Sequence, residues 1–465
     1  MGAGNSAPKP LATSFGEEAP GRRGPSLGSV LLEGPEANRY RLLLVTPLRI
    51  QLFDGHDAKP VELEESVAAA VRSHSPLTSF ASSASGASEA SGSGRMAIGC
   101  QDGAVLVFNL EVGTVRGPLH NFQIEEDGPA RDASSADLSR SVTALHLHEG
   151  LLFAGSCGRC TCWALADSEL QREFHLPGSE EQPATASSLV VVPQESVRQL
   201  WVGLDNGLLV VFDVETGMLV RSFSCCGPEM VSALAFCEKT SAVFALSAHK
   251  RVSIWDSKSF ACLQKYPAEL MTCGADLSAM GAFDVPKLSL SLLVLAGVDG
   301  SLCLRRITRR TDSKLNCILL WYRGDAGGEL GCPVTALNFH EGTETVLLGD
   351  AGCRVQLQNI REHVTSAAEL MQPSLVKRTE GSEESLGGLV SATQGTTEPS
   401  PSHSDGPPLP PPADSPPEVS PASAGAPEEG KAEEPPQDPS DEKPQTRDGY
   451  PGETTNSAAF PVFNG

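Results

Sequence analysis

The segment LWVGLDNGLLVVFDVETG, residues 200–217, decides the fold. It contains a short apolar run, an Asp-Asn-Gly turn at 205–207, a second apolar run and a polar turn that ends at Gly217. Asn-Gly between two such runs is a strong hairpin signal, because the central residues of the favoured two-residue turn need positive φ angles. The segment therefore predicts two antiparallel strands joined by a tight turn.

The same hairpin pattern returns along the chain. The further copies are RMAIGCQDGAVLVFNLEVG (95–113), LLFAGSCGRCTCWAL (151–165), AVFALSAHKRVSIWD (242–256), LLVLAGVDGSLCLRRI (292–307), TVLLGDAGCRVQLQNI (345–360) and, more faintly, YRLLLVTPLRIQLFDG (40–55). Most copies follow another short strand, namely SVTALHLH (141–148), MVSALAF (230–236), PVTALNF (333–339) and the weaker PLTSFA (76–81), TASSLVVV (185–192) and SVLLEG (29–34). Most precede a fourth apolar run, such as MLVRSFS (218–224) or FACLQKY (260–266).

This repeat predicts the architecture of the middle of the chain. Four strands per unit and seven units, spaced roughly 43 to 56 residues apart, favour the radial blades of a propeller over a sandwich. We therefore expect an all-β, seven-bladed β-propeller over residues 28–369. An eight-bladed ring or a second propeller would need repeats that the sequence does not contain.

The repeat resembles the WD40-repeat β-propeller family. VSALAF (231–236) followed by Ser253-Ile254-Trp255-Asp256 is the best match, and Phe53-Asp54 and Phe212-Asp213 stand in for the family's Trp-Asp pair. The resemblance implies structural roles for Trp255, Asp256 and three turn residues, Asp102, Asp205 and Asp299. No Gly-His dipeptide precedes an inner strand, so the family's Asp–His–Ser–Trp network is not expected in full. Insertions are predicted at 82–94, 124–140 and 276–290, in blades 2, 3 and 6.

Both flanks of the propeller differ from it in composition. Residues 1–27 are predicted to be a flexible N-terminal arm, and residues 370–465 a disordered acidic tail. Residues 371–465 carry 16 acidic and 5 basic side chains, a net charge of −11, and 18 of the 35 prolines. Such a segment buries too little apolar surface to offset the entropy of ordering it.

The first six residues, MGAGNS, match the N-myristoylation pattern, which predicts that Gly2 is acylated once Met1 is removed. One myristoyl chain binds membranes weakly and reversibly, and stable anchoring needs a second signal. No Cys precedes Cys100, so the arm offers no site for palmitate. We therefore expect reversible, peripheral membrane contact of a cytoplasmic protein.

Charge and composition narrow the function classes. The formal net charge of −23 argues against a general nucleic-acid binder, which needs clustered Lys and Arg. The sequence contains no apolar run long enough to span a bilayer. The 13 Cys residues are scattered, as is typical of reduced thiols in the cytosol.

The sequence contains little that indicates a metal site or a catalytic site. Cys157, Cys160 and Cys162 form the one stretch with metal-ligand spacing, but no second Cys-x-x-Cys completes a zinc site. A hairpin turn with buried core residues is favoured there, with metal or redox chemistry as the alternative. His146, His148 and His340 lie on inner strands and are expected to be structural. No catalytic motif is present, so we expect a protein that is not an enzyme and has no metal or cofactor.

Arg305, Arg306, Arg309 and Arg310 form the one dense basic cluster, with Lys314 beyond them. Basic residues on edge strands commonly prevent sheets from pairing with other chains. The alternative is a surface for an anionic lipid headgroup or an acidic partner. The cluster is similar to the paired arginines of phosphoinositide-binding propellers, but the glycine that follows them there is missing.

The tail contains candidate linear motifs. PPLPPP at 407–412 can form a polyproline II helix of the kind that SH3 and WW domains bind. Ser400, Ser415 and Ser420 each precede Pro and are candidate phosphorylation sites. A generic low-complexity tail explains the same residues.

Three functional hypotheses follow from these features. The first is a non-catalytic scaffold or adaptor that binds protein partners and is recruited reversibly to membranes through Gly2. The second is a phosphoinositide-binding effector that uses residues 305–310. The third is an enzyme that uses Cys157 and Cys160, which predicts bound zinc.

Overall fold

The computed structural model describes residues 11–364 apart from residues 13, 16–24, 35, 37–38, 84–93, 125–139, 179–182, 196, 226, 248–249, 273–274, 311–313, 325–331 and 362. The described part is a seven-bladed β-propeller of seven four-stranded antiparallel sheets. This arrangement confirms the predicted fold class. Gly2 and residues 370–465 lie outside the described residues, so the predicted tail and its motifs stay predictions.

The strands follow the chain from the centre of each blade outward, except that β1 (Ser14–Phe15) belongs to the last blade. Blade 1 contains β2 (Gly28–Glu33), β3 (Tyr40–Thr46), β4 (Arg49–Asp54) and β5 (Pro60–Val61). Blade 2 contains β6 (Leu77–Ser83), β7 (Gly94–Cys100), β8 (Ala104–Glu111) and β9 (Thr114–Gln123). Blade 3 contains β10 (Ala144–His148), β11 (Leu151–Gly155), β12 (Arg159–Ala164) and β13 (Leu170–His175). Blade 4 contains β14 (Ala186–Pro193), β15 (Arg198–Leu204), β16 (Leu208–Asp213) and β17 (Leu219–Ser224).

The remaining blades continue this order. Blade 5 contains β18 (Val231–Cys237), β19 (Ala242–Ser247), β20 (Arg251–Asp256) and β21 (Cys262–Pro267). Blade 6 contains β22 (Leu277–Val285), β23 (Leu290–Gly297), β24 (Leu302–Arg309) and β25 (Leu315–Arg323). Blade 7 contains β26 (Val334–His340), β27 (Thr345–Asp350) and β28 (Val355–Asn359), with β1 as its outer strand. The described helices are α1 (Glu65–Ser73), α2 (Ala268–Thr272) and the 3₁₀ turns Glu238–Thr240 and Pro286–Leu288. Neither α1 nor α2 is long and apolar enough to cross a membrane.

Blade 7 closes the ring by combining the two ends of the described chain. Ser14 and Phe15 of β1 pair antiparallel with Gln356 and Val355 of β28. On the inner side, each innermost strand contacts that of the next blade, and β26 contacts β2. The propeller therefore starts before residue 28, and the predicted arm of residues 1–27 contains one of its strands. This corrects the predicted boundary.

The core consists of one apolar cluster between each pair of neighbouring blades in the described residues. In β15, Leu200, Val202 and Leu204 face blade 3 while Trp201 faces blade 5. Successive side chains of a strand point to opposite faces, and here both faces are buried. This explains why the central strands are continuous apolar runs with no polar alternation.

The turn at 205–207 differs in detail from its prediction. Gly207 alone adopts the left-handed region, with φ +81°, and its N–H bonds to the carbonyl of Leu204 at 3.2 Å. The hairpin is thus a type I turn followed by a left-handed glycine, a common three-residue alternative to the two-residue turn. A Cβ at Gly207 would lie 2.0 Å from the carbonyl oxygen of Gly227, so the packing also requires glycine.

Two elements contradict or extend the sequence prediction. Residues 276–290 are no insertion, because they contain β22 (Leu277–Val285), the inner strand of blade 6. Helix α1 was not predicted. It inserts Val67 and Val71 into the core between blades 1 and 2, where the outer strand of blade 1 has only two residues.

Candidate functional site

The turn aspartates hold hairpins together. Asp102 and Asp299 accept the backbone N–H groups of Ala104 (3.0 Å) and Ser301 (2.9 Å) within their own turns. Asp205 accepts the N–H of Thr185 at 3.0 Å and so fastens the turn to the segment that enters the same blade. Local backbone bonding, which is common for Asp in turns, thus explains Asp102 and Asp299, whereas Asp205 bonds to a residue 20 positions earlier.

An Asp–His pair that sequence reasoning missed lies in blade 2. His74 Nδ1 is 2.8 Å from Asp102 Oδ2, and its Nε2 is 3.2 Å from the side-chain amide nitrogen of Asn121. His74 follows Ser73 and precedes the inner strand, so a search for Gly-His overlooked it. The pair joins the segment before the inner strand β6 to the turn between β7 and β8.

Trp255 and Asp256 connect blades 4, 5 and 6. Trp255 Nε1 donates to Ser253 Oγ at 2.8 Å, and that hydroxyl lies 3.0 Å from Cys225 Sγ. Asp256 forms an ion pair with Arg309 and accepts the N–H of Ser259 at 2.8 Å. Burial by itself raises the pKa of Asp256, but the hydrogen bonds from Arg309 and Ser259 outweigh it and lower that pKa below its ordinary value.

The predicted arginine cluster divides between the two faces of β24. Arg305 donates to the carbonyls of Met271 (2.8 Å), Leu270 (2.9 Å) and Cys317 (2.9 Å), and so joins α2 to β25. Arg309 lies on the same face, towards blade 5, where it donates to the carbonyl of Thr240 at 2.7 Å besides its pair with Asp256. Both guanidinium groups thus have structural partners.

Arg306 and Arg310 are placed differently. Alternation along β24 puts Arg306 on the face towards blade 7, together with Leu304. The Nε of Arg306 is buried and has no hydrogen-bond partner among the described residues. Arg310 is exposed in the turn between β24 and β25, where its backbone N–H bonds to the carbonyl of Lys314 at 2.8 Å. The four arginines therefore do not form one patch.

The outer strand of blade 6, β25, combines these charges with exposed apolar side chains. Ile318 is 37 % exposed and Leu319 40 %, and the nearby Leu270 of α2 is 66 % exposed. Leu319 pairs with Arg305 and Ile318 with Arg306 across the two strands. Cys317 precedes Ile318 and pairs with Ile307, and burial raises the pKa of its thiol to about 11, so the thiol is neutral at pH 7.

Only the end of β25 is covered by described residues. The rings of Trp321 and His363 stack with their centroids 4.1 Å apart. Leu320 and Trp321 pack against the apolar cluster between blades 6 and 7, which includes Ile360 and Val364. No described strand pairs with the outer edge of β25. Residues 316–319 therefore present an open strand edge within the described part of the molecule.

The other described outer strands carry protective features that residues 315–322 of β25 lack. β1 and β5 have two residues each, and β5 begins with proline. The longer ones include a charged side chain, namely Arg116 in β9, Arg172 in β13, Arg221 in β17 and Lys265 in β21. The one charged residue of β25 is Arg323 at its end, and none lies between Leu315 and Tyr322. Short length, proline and charge prevent edge strands from pairing with other chains, so β25 is the described edge best suited to accept one.

The cysteines of blade 3 are placed in the core. Cys160 and Cys162 are buried between blades 3 and 4, and burial raises the pKa of both thiols, that of Cys162 to about 12. Cys157 Sγ lies 3.7 Å from the carbonyl oxygen of Pro183. Within the described residues, no group of three or more His, Cys, Asp or Glu could hold a metal ion.

The histidines of the inner strands line the centre of the ring or its rim. His146 borders two central cavities of about 250 and 490 Å³, and the second also contacts His148. Burial, followed by the neighbouring His148, lowers the pKa of His146 to about 4. His340 lies at the corresponding end of β26 and bonds to Thr343. His340 thus acts as a hydrogen-bonding group, whereas burial lowers the pKa of His146 and of His148 and favours their neutral forms.

Comparison with known proteins identifies structural likenesses but no sequence relative. No protein-family model and no curated protein matches the sequence. The WD40 β-propeller domain of Doa1 is 12% identical over 76% of this chain and 98% of its own, with a TM-score of 0.51. BBS1N, solved in complex with ARL6DN, is 12% identical over 75% of this chain and 95% of its own, with a TM-score of 0.52. At such low identity these likenesses show the fold alone, which is that of a β-propeller.

Proposed function

We propose that this protein is a non-catalytic scaffold or adaptor whose propeller binds protein partners. The observation that carries the proposal is the open, uncharged edge of β25 beside exposed Leu270, Ile318 and Leu319. Exposed apolar surface bordered by polar residues is typical of protein-binding sites. A propeller neighbour solved with a bound partner, BBS1N with ARL6DN, supports the same general role.

Membrane recruitment forms the second part of the proposal. A myristoyl group on Gly2 brings the cytoplasmic scaffold to membranes, and a single chain keeps that contact reversible. The tail adds linear motifs, with residues 407–412 as a ligand for SH3 or WW domains. Ser400, Ser415 and Ser420 are its phosphorylation sites. The MGAGNS pattern and the prolines of the tail support these assignments.

Proximity labelling in the native cell tests the scaffold. The wild type fused to a labelling enzyme is expected to mark a reproducible set of proteins that the labelling enzyme alone does not mark. Gly2→Ala is expected to lose the membrane-associated members of the set and keep the others. A wild-type set no different from that of the labelling enzyme alone would contradict the scaffold.

Anionic-lipid binding through residues 305–310 is the second candidate function. The Nε of Arg306, which has no hydrogen-bond partner among the described residues, favours it. The structural bonds of Arg305 mean that its charge reversal would damage α2, so Arg306→Glu with Arg310→Glu is the better variant. Loss of flotation with phosphoinositide vesicles in this variant, and retention in Arg116→Glu on β9, would support lipid binding. Equal flotation of all three proteins would refute it.

A further inference from the structure

We propose that residues 316–319 of β25 accept an extended, acidic peptide from a partner protein, which adds to blade 6 as a fifth strand. The inference rests on the proposed scaffold function and names the site and the chemistry of the partner. An exposed strand edge binds an extended peptide through main-chain hydrogen bonds, and side chains on alternate faces select the sequence.

The backbone edge supplies the first argument. Within the described ring, the longer outer strands of blades 2 to 5 interrupt their edges with charge, and those of blades 1 and 7 have two residues. β25 has an uncharged run from Leu315 to Tyr322. An apolar strand edge of this kind pairs readily with other chains. The presence of such an unprotected edge in one blade is explained if a partner protein occupies that edge.

The two faces of the added strand would meet different surfaces. Towards blade 5, the incoming side chains would contact Leu319 and Leu270, the latter 66 % exposed. Towards blade 7, they would contact Ile318 and approach Arg306, whose Nε has no partner among the described residues. A peptide that alternates apolar and acidic residues matches both faces, since alternate side chains of a strand point to opposite sides.

The charged residues beside the open edge of β25 indicate the charge of the partner peptide. Arg305 and Arg306 lie opposite Leu319 and Ile318, one on each face of the blade, and among the described residues α2 contributes one carboxylate, Glu269. The whole chain has a net charge of −23, so this surface is locally opposite in sign to the rest. An acidic peptide would be repelled elsewhere and attracted here, which favours this site during encounter.

Fluorescence anisotropy with the full chain tests the proposal. The probe is a fluorescein-labelled octapeptide of alternating Glu and Val, compared with the Lys-Val analogue. Two further peptides carry N-methyl groups at every Val or at every Glu, and each removes the N–H donors along one edge. The Glu-Val peptide and one of the methylated peptides are expected to bind. The Lys-Val peptide and the other methylated peptide are expected not to bind.

Variants locate the site. Ile318→Gln with Leu319→Gln removes apolar contacts without adding charge and is expected to raise the Kd at least about tenfold. The matched control is Leu219→Gln with Val220→Gln on β17, two exposed apolar residues of another outer strand, which should leave the Kd unchanged. Circular dichroism melting curves check that both variants fold. Equal effects of the two variants, or equal binding of all four peptides, would overturn the proposal.

Hydrogen exchange measures independently whether the backbone amides at the edge of β25 are exposed. The outward amides within 316–319 are expected to exchange fast in the protein alone and slowly with saturating Glu-Val peptide. Slow exchange without peptide would overturn the proposal, because the edge would already be covered. If proximity labelling is specific but unaffected by the Ile318 and Leu319 changes, the scaffold stands and this docking site fails. Binding of phosphoinositide vesicles but not of the Glu-Val peptide would replace the peptide by a membrane.

Discussion

His340, at the end of β26, is held in its neutral form mainly by burial, and it accepts a hydrogen bond that requires this form. Its Nδ1 accepts the backbone N–H of Thr343 at 3.2 Å, which only an unprotonated nitrogen can do. Burial, together with the charge of Lys287, lowers the pKa of His340 from 6.5 to about 4. In the unfolded chain the imidazole regains its ordinary pKa, so acid favours unfolding.

This residue predicts a loss of stability between pH 6.5 and 4. With a folded pKa below the unfolded one, its contribution is fully present above pH 6.5 and is lost as the pH falls to about 4. His340→Asn keeps an acceptor for Thr343 but does not titrate. Between pH 7 and 5 the wild type should lose about 2 kcal/mol more unfolding free energy than the variant. Urea unfolding at both pH values measures this, and equal losses in both proteins would contradict the assignment.

Single residues show where sequence reasoning succeeds and where it stops. Asp102 and Asp299 bond to residues only two positions away, Ala104 and Ser301, a range over which turn chemistry can be read from the sequence. The His74–Asp102 pair spans 28 residues and was not predicted. Arg305 looked like part of a surface patch, because no sequence pattern reveals that its donors bond to carbonyls of α2 and β25.

At the scale of elements, hydroxyl groups tie neighbouring inner strands together. In four blades a Ser or Thr at the start of the inner strand donates to a carbonyl at the start of the next blade. The pairs are Thr78–Val142, Thr143–Ala186, Ser187–Val231 and Thr335–Ser26. The V-T-A-L and similar strands of the sequence thus carry a polar contact as well as core residues.

Thr143→Val tests this contact, because valine keeps the shape of threonine and lacks the hydroxyl. The variant loses the bonds to Ala186 and Gly155 and leaves two carbonyls without that donor. We expect a loss of about 1–2 kcal/mol in unfolding free energy. Thr143→Ser retains the hydroxyl and should lose less than half as much. Equal losses in the two variants, measured by urea unfolding, would show that the methyl group matters and the bond does not.

The elements also differ in how visible they are in the sequence. The central hairpins were predicted correctly, because both of their strands are apolar and the turns between them are short. The inner strand β22 was taken for an insertion, since Gly281 and Asp284 interrupt its apolar pattern and a 3₁₀ turn follows it. Helix α1 escaped notice because only Val67 and Val71 mark its buried face. The open edge of β25 could not be predicted, since exposure depends on what packs beside a strand.

At the scale of the whole molecule, β1 closes the ring. It pairs with β28 across some 340 residues of chain, a distance at which local patterns carry no signal. Phe15 is 2 % exposed, and its ring lies 6.1 Å from that of Phe53 in blade 1. This one side chain therefore joins the first and last blades.

Phe15→Ala is expected to lower the unfolding free energy by about 3–5 kcal/mol, the usual cost of emptying a buried aromatic site. The matched control is Leu48→Ala in the turn between β3 and β4, where the side chain is 59 % exposed. Its change should be within about 0.5 kcal/mol. Denaturant unfolding compares the two. A Phe15→Ala protein as stable as the control would mean that the ring does not depend on β1 for closure.

The position of β1 also limits how far from the propeller a lipid on Gly2 would lie. Ser14 lies twelve positions after Gly2, so the lipid would lie within about 40 Å of the outer edge of blade 7. With one acyl chain, the association constant for neutral vesicles should be about 10⁴ M⁻¹. Coexpression with an N-myristoyltransferase and a tagged myristate should label the wild type and not Gly2→Ala. Only the labelled protein should float with neutral vesicles, and dilution should release it. Equal labelling of the two proteins would refute the lipid, whereas labelled protein that stays bound on dilution would require a second membrane contact.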